Sequence, residues 1–374
     1  MRSYTFDFET TTDPEDCRVW AYGIYSIDDD RYITDGNSIE GFIEWLECAA
    51  NCKGYFHNLG FDGVFIIDHL LKSGWLWVDS KKKATDRTFT TLISDMNQVY
   101  QITLYFTKTR YVTIQDSLKI IPLSVEAMAK AYGLEIRKGS IDYDEYREPG
   151  HEITDDERTY LVNDVAIVAK SLRTFFGQKL TKMTAGSNAL FDYKRRLGGH
   201  RKFRNVFPLL SEEEDAFIRK AYRGGFTYVN PKFQGRDVGE GIVFDVNSLY
   251  PSVMAACDGQ FLPYGKPVWF DGVPQPTERH PLWIACVLCS FKGRKEHIPC
   301  LQLKGNMMFK QTEYVEDSQG RVCITVTNVD WELMNKQYHV WDVEFIGGYM
   351  FHASPHMFQD YVCKWVDIKN QATI

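Results

Sequence analysis

Apolar positions in the first 180 residues switch repeatedly between a period of two and a period of 3.6. Residues 4–8 and 19–26 are aromatic and β-branched runs suited to strands. Residues 38–50 place Ile39, Phe42, Ile43 and Leu46 on one side of a helix. A short strand is predicted at 55–58, then a helix over 62–72. Strands are predicted at 88–93, 99–106 and 111–114, followed by a helix at 125–132 and a long one over 154–179. Thr154 followed by Glu157 is a capping-box signature at the start of that last helix. Strands interleaved with helices predict an α/β layer. After this the pattern changes. Residues 193–204, YKRRLGGHRKFR, carry six Lys or Arg and no acid, and read equally as a solvated loop or a phosphate-contacting stretch. A strand is predicted at 241–246, and residues 257–355, rich in Pro, Gly and aromatic residues, read as β-dominated.

At 374 residues the chain is long enough for two to three domains with cores of their own. Its 44% hydrophobic and 25% charged residues exclude a disordered or collagen-like chain. The net charge of -7 gives no global basic signature, although carboxylates clustered at a metal site would lower the total. Asp7 and Glu9 stand where a signal peptide needs an apolar run, and no run of about 18 apolar residues offers a membrane span. Nine cysteines, an odd number, favour a reducing, cytoplasmic compartment. Cys48 and Cys52 are expected on one helix face. Cys286 and Cys289 lie on a predicted strand, which sends residues three apart to opposite faces. Neither pair has zinc-ligand company, so both read as buried free thiols.

The acids carry more information. Asp7 and Glu9, two apart on the first strand, project to one face while Phe8 points to the other. Paired carboxylates repel unless a cation sits between them. Asp62 follows a strand at the start of a helix, and Tyr160 and Asp164, four apart, share a helical face. Hard oxygen ligands of this kind suit Mg²⁺ or Mn²⁺.

Asp7-Phe8-Glu9, Asn58-x-x-Phe61-Asp62 and Tyr160-x-x-x-Asp164 resemble, in order, the three motifs of the DEDDy-type 3′–5′ exonuclease domain of proofreading DNA polymerases. Tyr222-Arg223-Gly224-Gly225 looks like the YxGG motif that links exonuclease and polymerase domains, and Asp245-Val246-Asn247-Ser248-Leu249-Tyr250-Pro251 looks like motif A of family B polymerases. Met183 to Ser187 and the insertion after motif A resemble the protein-primed polymerases of phi29-like phages. The resemblance runs from Tyr4 to the last residue. It implies an α/β chain: a ribonuclease-H-like exonuclease domain (1–185), a linker with YxGG and the start of the palm (186–256), a β-rich insertion similar to the first terminal-protein region (257–356), and a return to the palm (357–374).

The resemblance further implies two ions, Mg²⁺ or Mn²⁺, at each active site. Asp7 would bridge the exonuclease ions, Glu9 and Asp164 would complete the first, and Asp62 would support the second. Tyr160 would position the attacking water. Thr10, Tyr55, His57, Asn58, Phe61, Ser117 and Leu118 match positions that grip single-stranded DNA, with Phe61 open between that role and the core. Lys138 and Tyr143 match phosphate-contacting groups. Leu123 and Ser140 depart from the phage pattern, where an aromatic and an acid stand. Tyr222, Gly224 and Gly225 are expected to contact DNA. Asp245 and the Val246 carbonyl would hold the polymerase ions, and Tyr250, Leu249 and Ser248 the incoming dNTP. Implied partners are single-stranded and primer-template DNA, dNTPs and a priming terminal protein, in the host cytoplasm, with no membrane.

The polymerase site of this family also needs a KxxxNSxYG helix and a DTD-type hairpin, and neither string occurs in the 374 residues. One carboxylate cannot hold two divalent ions, so the chain alone is expected not to extend a primer. It reads as the N-terminal part of a protein-primed polymerase, a fragment or half of a split gene. A free-standing exonuclease with a vestigial motif A and a non-catalytic binding module are the alternatives; intact Asp7, Glu9, Asp62 and Asp164 speak against the second.

Overall fold

The computed structural model describes residues 1–230, 232–255, 261–302 and 314–372. They form a mixed α/β chain with two compact units, Met1–Tyr193 and Lys194–Ile374.

In the first unit, β1 (Ser3–Thr10) is central to an eight-stranded sheet. It pairs antiparallel with β2 (Val19–Ser26), which pairs with β3 (Arg31–Gly36). On its other side it pairs in parallel with β4 (Lys53–Phe56), and β4 in parallel with β8 (Tyr111–Asp116). Next come β7 (Val99–Tyr105), β6 (Thr88–Ile93) and the two-residue β5 (Leu76–Trp77). Strand alternation divides β1. Tyr4, Phe6 and Phe8 enter a core with α1 (Ile39–Cys48) and α2 (Leu59–Lys72), where the Phe8 ring lies 4.8 Å from Phe42 and 4.7 Å from Phe56. The second core, around α3 (Val125–Ala131) and α4 (Asp155–Gly177), takes Tyr25 and Tyr55 from the strands and Ile27 from the turn after β2.

α4 begins at the expected capping box: the Thr154 hydroxyl accepts from the Glu157 N–H, and the Glu157 carboxylate accepts from the Thr154 N–H at 3.0 Å. Two devices seat it on the sheet. The Thr5 hydroxyl donates to the Val165 carbonyl at 2.8 Å. Gly23, beside Asp7 on β2, leaves room for Leu161; a Cβ at position 23 would stand 2.7 Å from Leu161 Cγ.

In the second unit, β10 (Leu282–Gly293) lies between β11 (Val322–Thr327) and β12 (Tyr338–Ser354), and β9 (Leu262–Asp271) completes an antiparallel sheet. α9 (Asn328–Gln337) joins its core through Met334. The buried Tyr338 hydroxyl accepts from the Cys300 and Leu301 amides and donates to the Val315 carbonyl.

Several expectations are corrected. Residues 241–246 are in no strand: Ile242, Val243 and Phe244 are 80%, 96% and 87% exposed, and no described segment pairs with them to form a ladder. The basic stretch is not a loop. It ends α5 (Ala185–Arg196) and begins α6 (His200–Val206), with Gly198 and Gly199 at φ 92° and 101° between them, and α7 (Glu212–Lys220) follows. Cys48 ends α1 and is exposed, whereas Cys52 is buried outside any helix, so they share no helical face. Cys286 and Cys289 do lie on one strand, β10, with Cys289 fully buried. Cys286 is only half-buried, its Sγ 2.9 Å from Cys323 Sγ on β11. α2 starts at Leu59, so Asp62 lies within its first turn. Residues 256 and 257, the expected linker–insertion boundary, lie outside the described residues. No helix among the described residues is long and apolar enough to cross a membrane.

Candidate active site

A cleft of about 400 Å³ opens on the face of the first sheet that α4 covers. Asp7 and Glu9 reach it from β1, Asp62 from the first turn of α2, and Asp164 from α4. Asp7 is half-buried; Glu9, Asp62 and Asp164 are 6%, 4% and 4% exposed. Four acids from three elements therefore share one poorly hydrated space, and their proton affinities record it. Burial and the Asp164 carboxylate push the Asp7 carboxyl up to about 7. Burial, with Asp7 and Asp164 adding their charge, pushes Glu9 up to about 9. Burial first and Asp7 second carry Asp62 well above the ordinary carboxylate range. Asp164 is raised by burial against the pull of Lys138.

One cation offsets this charge. Lys138 Nζ stands 2.5 Å from Asp164 Oδ2. Burial works against its ammonium form, but the hydrogen bond and charge of Asp164 outweigh it and raise its pKa. The Tyr160 hydroxyl meets the Tyr143 hydroxyl at 2.8 Å, and burial raises the Tyr160 phenol far above its ordinary value. Both groups stay protonated across the neutral range.

The acids do not already enclose a common point: among the described residues no three His, Cys, Asp or Glu side chains form a ready coordination sphere. The donor set nevertheless fits a hard divalent cation. Asp164 Oδ1 is buried with no hydrogen-bond partner, and crowded carboxylates are relieved by a positive ion between them.

Of the expected DNA-gripping residues, Thr10, His57, Asn58 and Phe61 line this cleft, as do Lys138 and Tyr143. Phe61 is 52% exposed, its ring 5.7 Å from Phe65, and is not a core residue. His57 Nε2 donates to the Leu123 carbonyl at 2.7 Å; its Nδ1 faces Ser117 Oγ at 2.9 Å. Burial lowers its pKa, so the ring is a fixed neutral strut. The Ser117 hydroxyl also donates to the Phe56 carbonyl at 2.9 Å, and the Leu118 amide donates to Asp116 Oδ1 at 2.9 Å. Tyr55, like Ser117 and Leu118, is absent from the cleft lining. The alternation of β4 turns it away from the Phe56 core and against Phe176 of α4, where it is 2% exposed and does not line the cleft.

Sequence reasoning missed Asp116. Buried at the end of β8, its Oδ1 accepts from the Asn58 and Leu118 amides, and so fixes Asn58 in its left-handed conformation (φ 80°) where α2 begins. The only signal was an acid directly after an apolar strand. Thr12, also on the cleft, had none.

The remaining expected residues belong to the second unit. Asp245 and Val246 are exposed, and Ser248 caps the short α8 (Leu249–Met254), which carries Leu249 and the 73%-exposed Tyr250. Tyr222 is exposed, Gly224 N–H donates to Gln302 Oε1 at 3.3 Å, and a Cβ at Gly225 would stand 3.3 Å from the Tyr250 hydroxyl.

A mixed sheet with a cleft of acids beneath a long helix defines an α/β fold, and comparison with known proteins gives its family. The profile of DNA polymerase type B, organellar and viral, matches residues 49–149 and 144–374. The DNA polymerase of Bacillus phage PZA is 43% identical over 373 residues, covering 98% of this chain and 64% of the relative. That of Streptococcus phage Cp-1 is 30% identical over 382 residues, covering 96% and 64%. Phi29 DNA polymerase complexed with primer-template DNA and incoming nucleotides superposes with a TM-score of 0.89 at 41% identity, over 98% of this chain and 64% of that one. Its complex with single-stranded DNA gives 0.86 at 40% identity, over 99% and 64%. The chain belongs to the type B DNA polymerases, organellar and viral. Within that family it is similar to the phi29-type phage polymerases, and it spans 64% of their length.

Proposed function

We propose that the first unit is a 3′–5′ exonuclease that hydrolyses single-stranded DNA ends, within a protein-primed phage DNA polymerase. The observation that carries this reading is the convergence of Asp7, Glu9, Asp62 and Asp164 on one cleft, with Tyr160 and Lys138 beside them. DNA polymerases of this family use divalent metal ions. Here Asp7, Glu9, Asp62 and Asp164 would hold Mg²⁺ or Mn²⁺, which when bound supplies charge neutralisation and water activation at the scissile phosphate.

The chain's own groups do the rest. The Tyr160 hydroxyl, fixed by Tyr143, orients the attacking water; its high pKa makes it a hydrogen-bonding partner and not a base. Lys138 presents a permanent positive charge to the phosphate oxygens as negative charge develops. Phe61 offers an exposed ring for stacking, worth about 1–3 kcal/mol per base irrespective of sequence. His57 and Asn58 shape the wall along which the strand lies.

In the second unit, Asp245 with the Val246 carbonyl would hold the polymerase ions, Ser248, Leu249 and Tyr250 would meet the dNTP, and Tyr222, Gly224 and Gly225 the primer-template. Segments 1–185, 186–256, 257–356 and 357–374 would be exonuclease, linker with palm start, terminal-protein region and palm return. The phi29 polymerase complexes with DNA and nucleotides support this assignment by similarity.

The test is shortening of 5′-labelled single-stranded DNA with Mg²⁺ or Mn²⁺. Stepwise loss of 3′ nucleotides that disappears in Asp7→Ala is expected. No shortening, or shortening that survives Asp7→Ala, overturns the reading.

A further inference from the structure

Lys138 and Tyr143 stand on a segment, residues 134–153, that contains neither helix nor strand. Such a stretch loses conformational freedom when ordered and needs a specific tether. The tether is Arg147. Only 4% exposed, it lies with its guanidinium carbon 4.8 Å from the centroid of the buried Trp20 ring on β2. Its Nη1 donates to the Asp142 and Glu145 carbonyls, and its Nε to Glu157 Oε1 at 3.0 Å. Glu157 Oε2 is taken by the Thr154 amide at 3.0 Å and by His151 Nε2 at 2.8 Å. Burial pushes the Glu157 carboxyl up, but these hydrogen bonds outweigh it and bring it down to about 2.

Glu157, Tyr160 and Asp164 follow one another at helical spacing (i, i+3, i+7) along one face of α4. The guanidinium thus joins the backbone flanking Tyr143 to the face that presents Tyr160 and Asp164. Buried ion pairs contribute little net stability but can fix one arrangement over others.

We propose that Arg147 and Glu157 form a positioning pair that sets Lys138 and Tyr143 against Asp164 and Tyr160, an inference that rests on the exonuclease reading for its effect on rate. The effect on catalysis passes through Tyr143 and Lys138; neither Arg147 nor Glu157 is a catalytic residue.

The test uses the full chain carrying Arg147→Met, Arg147→Lys or Glu157→Gln, alone and combined with Lys138→Met/Tyr143→Phe. Arg147→Met is expected to lower kcat for single-stranded DNA about 10–100-fold, the range for removing a group that orients others, with KM nearly unchanged. Arg147→Lys, which keeps the charge and loses the fork, is expected to recover only part of this. In the Lys138→Met/Tyr143→Phe background the same change is expected to cost less than about threefold, since coupled residues are not additive. An equal loss in both backgrounds overturns the proposal.

Hydrogen exchange gives a readout independent of activity. Arg147→Met is expected to speed exchange across residues 138–146 while residues 161–169 keep their protection; unchanged exchange in 138–146 overturns the proposal. Should Arg147→Met fail to fold, Glu157→Gln and Arg147→Lys carry both arms. If the unmodified chain shows no Asp7-dependent hydrolysis, the exonuclease reading fails and the exchange arm alone decides the positioning claim.

Discussion

Asp7 and Asp245 are both acids in recognisable motifs, yet their surroundings are opposite. Asp7 lies on an interior strand of an eight-stranded sheet, among three other acids and beneath a 23-residue helix. Asp245 lies on an exposed segment with no sheet partner among the described residues, beside a 96%-exposed Val243. A motif names the chemistry; burial and convergence make it operate. Among the described residues, the first acid has the low-dielectric setting in which neighbouring charges interact strongly and raise one another's proton affinities.

The sharpest way to break this comparison is activity. Asp164→Ala is expected to reduce DNA shortening by more than about 100-fold, beyond the loss typical of removing a group that merely supports a metal ligand. Asp245→Ala is expected to leave the rate of shortening within about twofold, since surface changes away from a site are nearly neutral. Comparable losses in a gel assay would erase the distinction drawn between the two acids.

The next effect is on stability. Leu161→Ala, which opens space between α4 and β2, is expected to cost about 2–5 kcal/mol in denaturant unfolding of the first unit. Val243→Ala is expected to change stability by less than about 0.5 kcal/mol.

A smaller effect follows from the crowded carboxylates. Glu9 rises to about 9 in the fold from an ordinary 4.5, so the folded chain holds a proton there that the unfolded chain releases. Stability from this group is full below pH 4.5 and is lost as pH rises toward 9. With a chelator present, melting temperature is expected to fall over that window, and Glu9→Gln to flatten the fall. Added Mg²⁺ or Mn²⁺ is expected to restore stability at the alkaline end, because a ligand of the folded state stabilises it. A pH-independent melting curve in the unmodified, metal-free chain would contradict the burial of these acids.

The sequence made the first unit largely legible because its elements are strongly patterned. The 3.6 period around Phe42 and Leu46, the apolar runs of β1 and β2, and the Thr154–Glu157 capping box all reappear in the fold. β3 stayed hidden because Arg31–Gly36 is polar and lies at the sheet edge, where no alternation is needed. Residues 241–246 form an apolar run without a strand, because no segment among the described residues supplies their hydrogen bonds. The four acids were readable from spacing within each motif, whereas Asp116 and Arg147 act through tertiary contacts that no local spacing announces. Tyr55 shows the limit of position matching, because strand parity turned it into the core.

Gly23 carries a consequence for natural variation. With no side chain, it lets Leu161 sit directly over the strand pair that holds Asp7. A substitution there touches no acid and alters no charge. An alanine would still act as a wedge, prising α4 outward and shifting Tyr160 and Asp164 together, so one methyl group on the neighbouring strand would disturb the whole cleft.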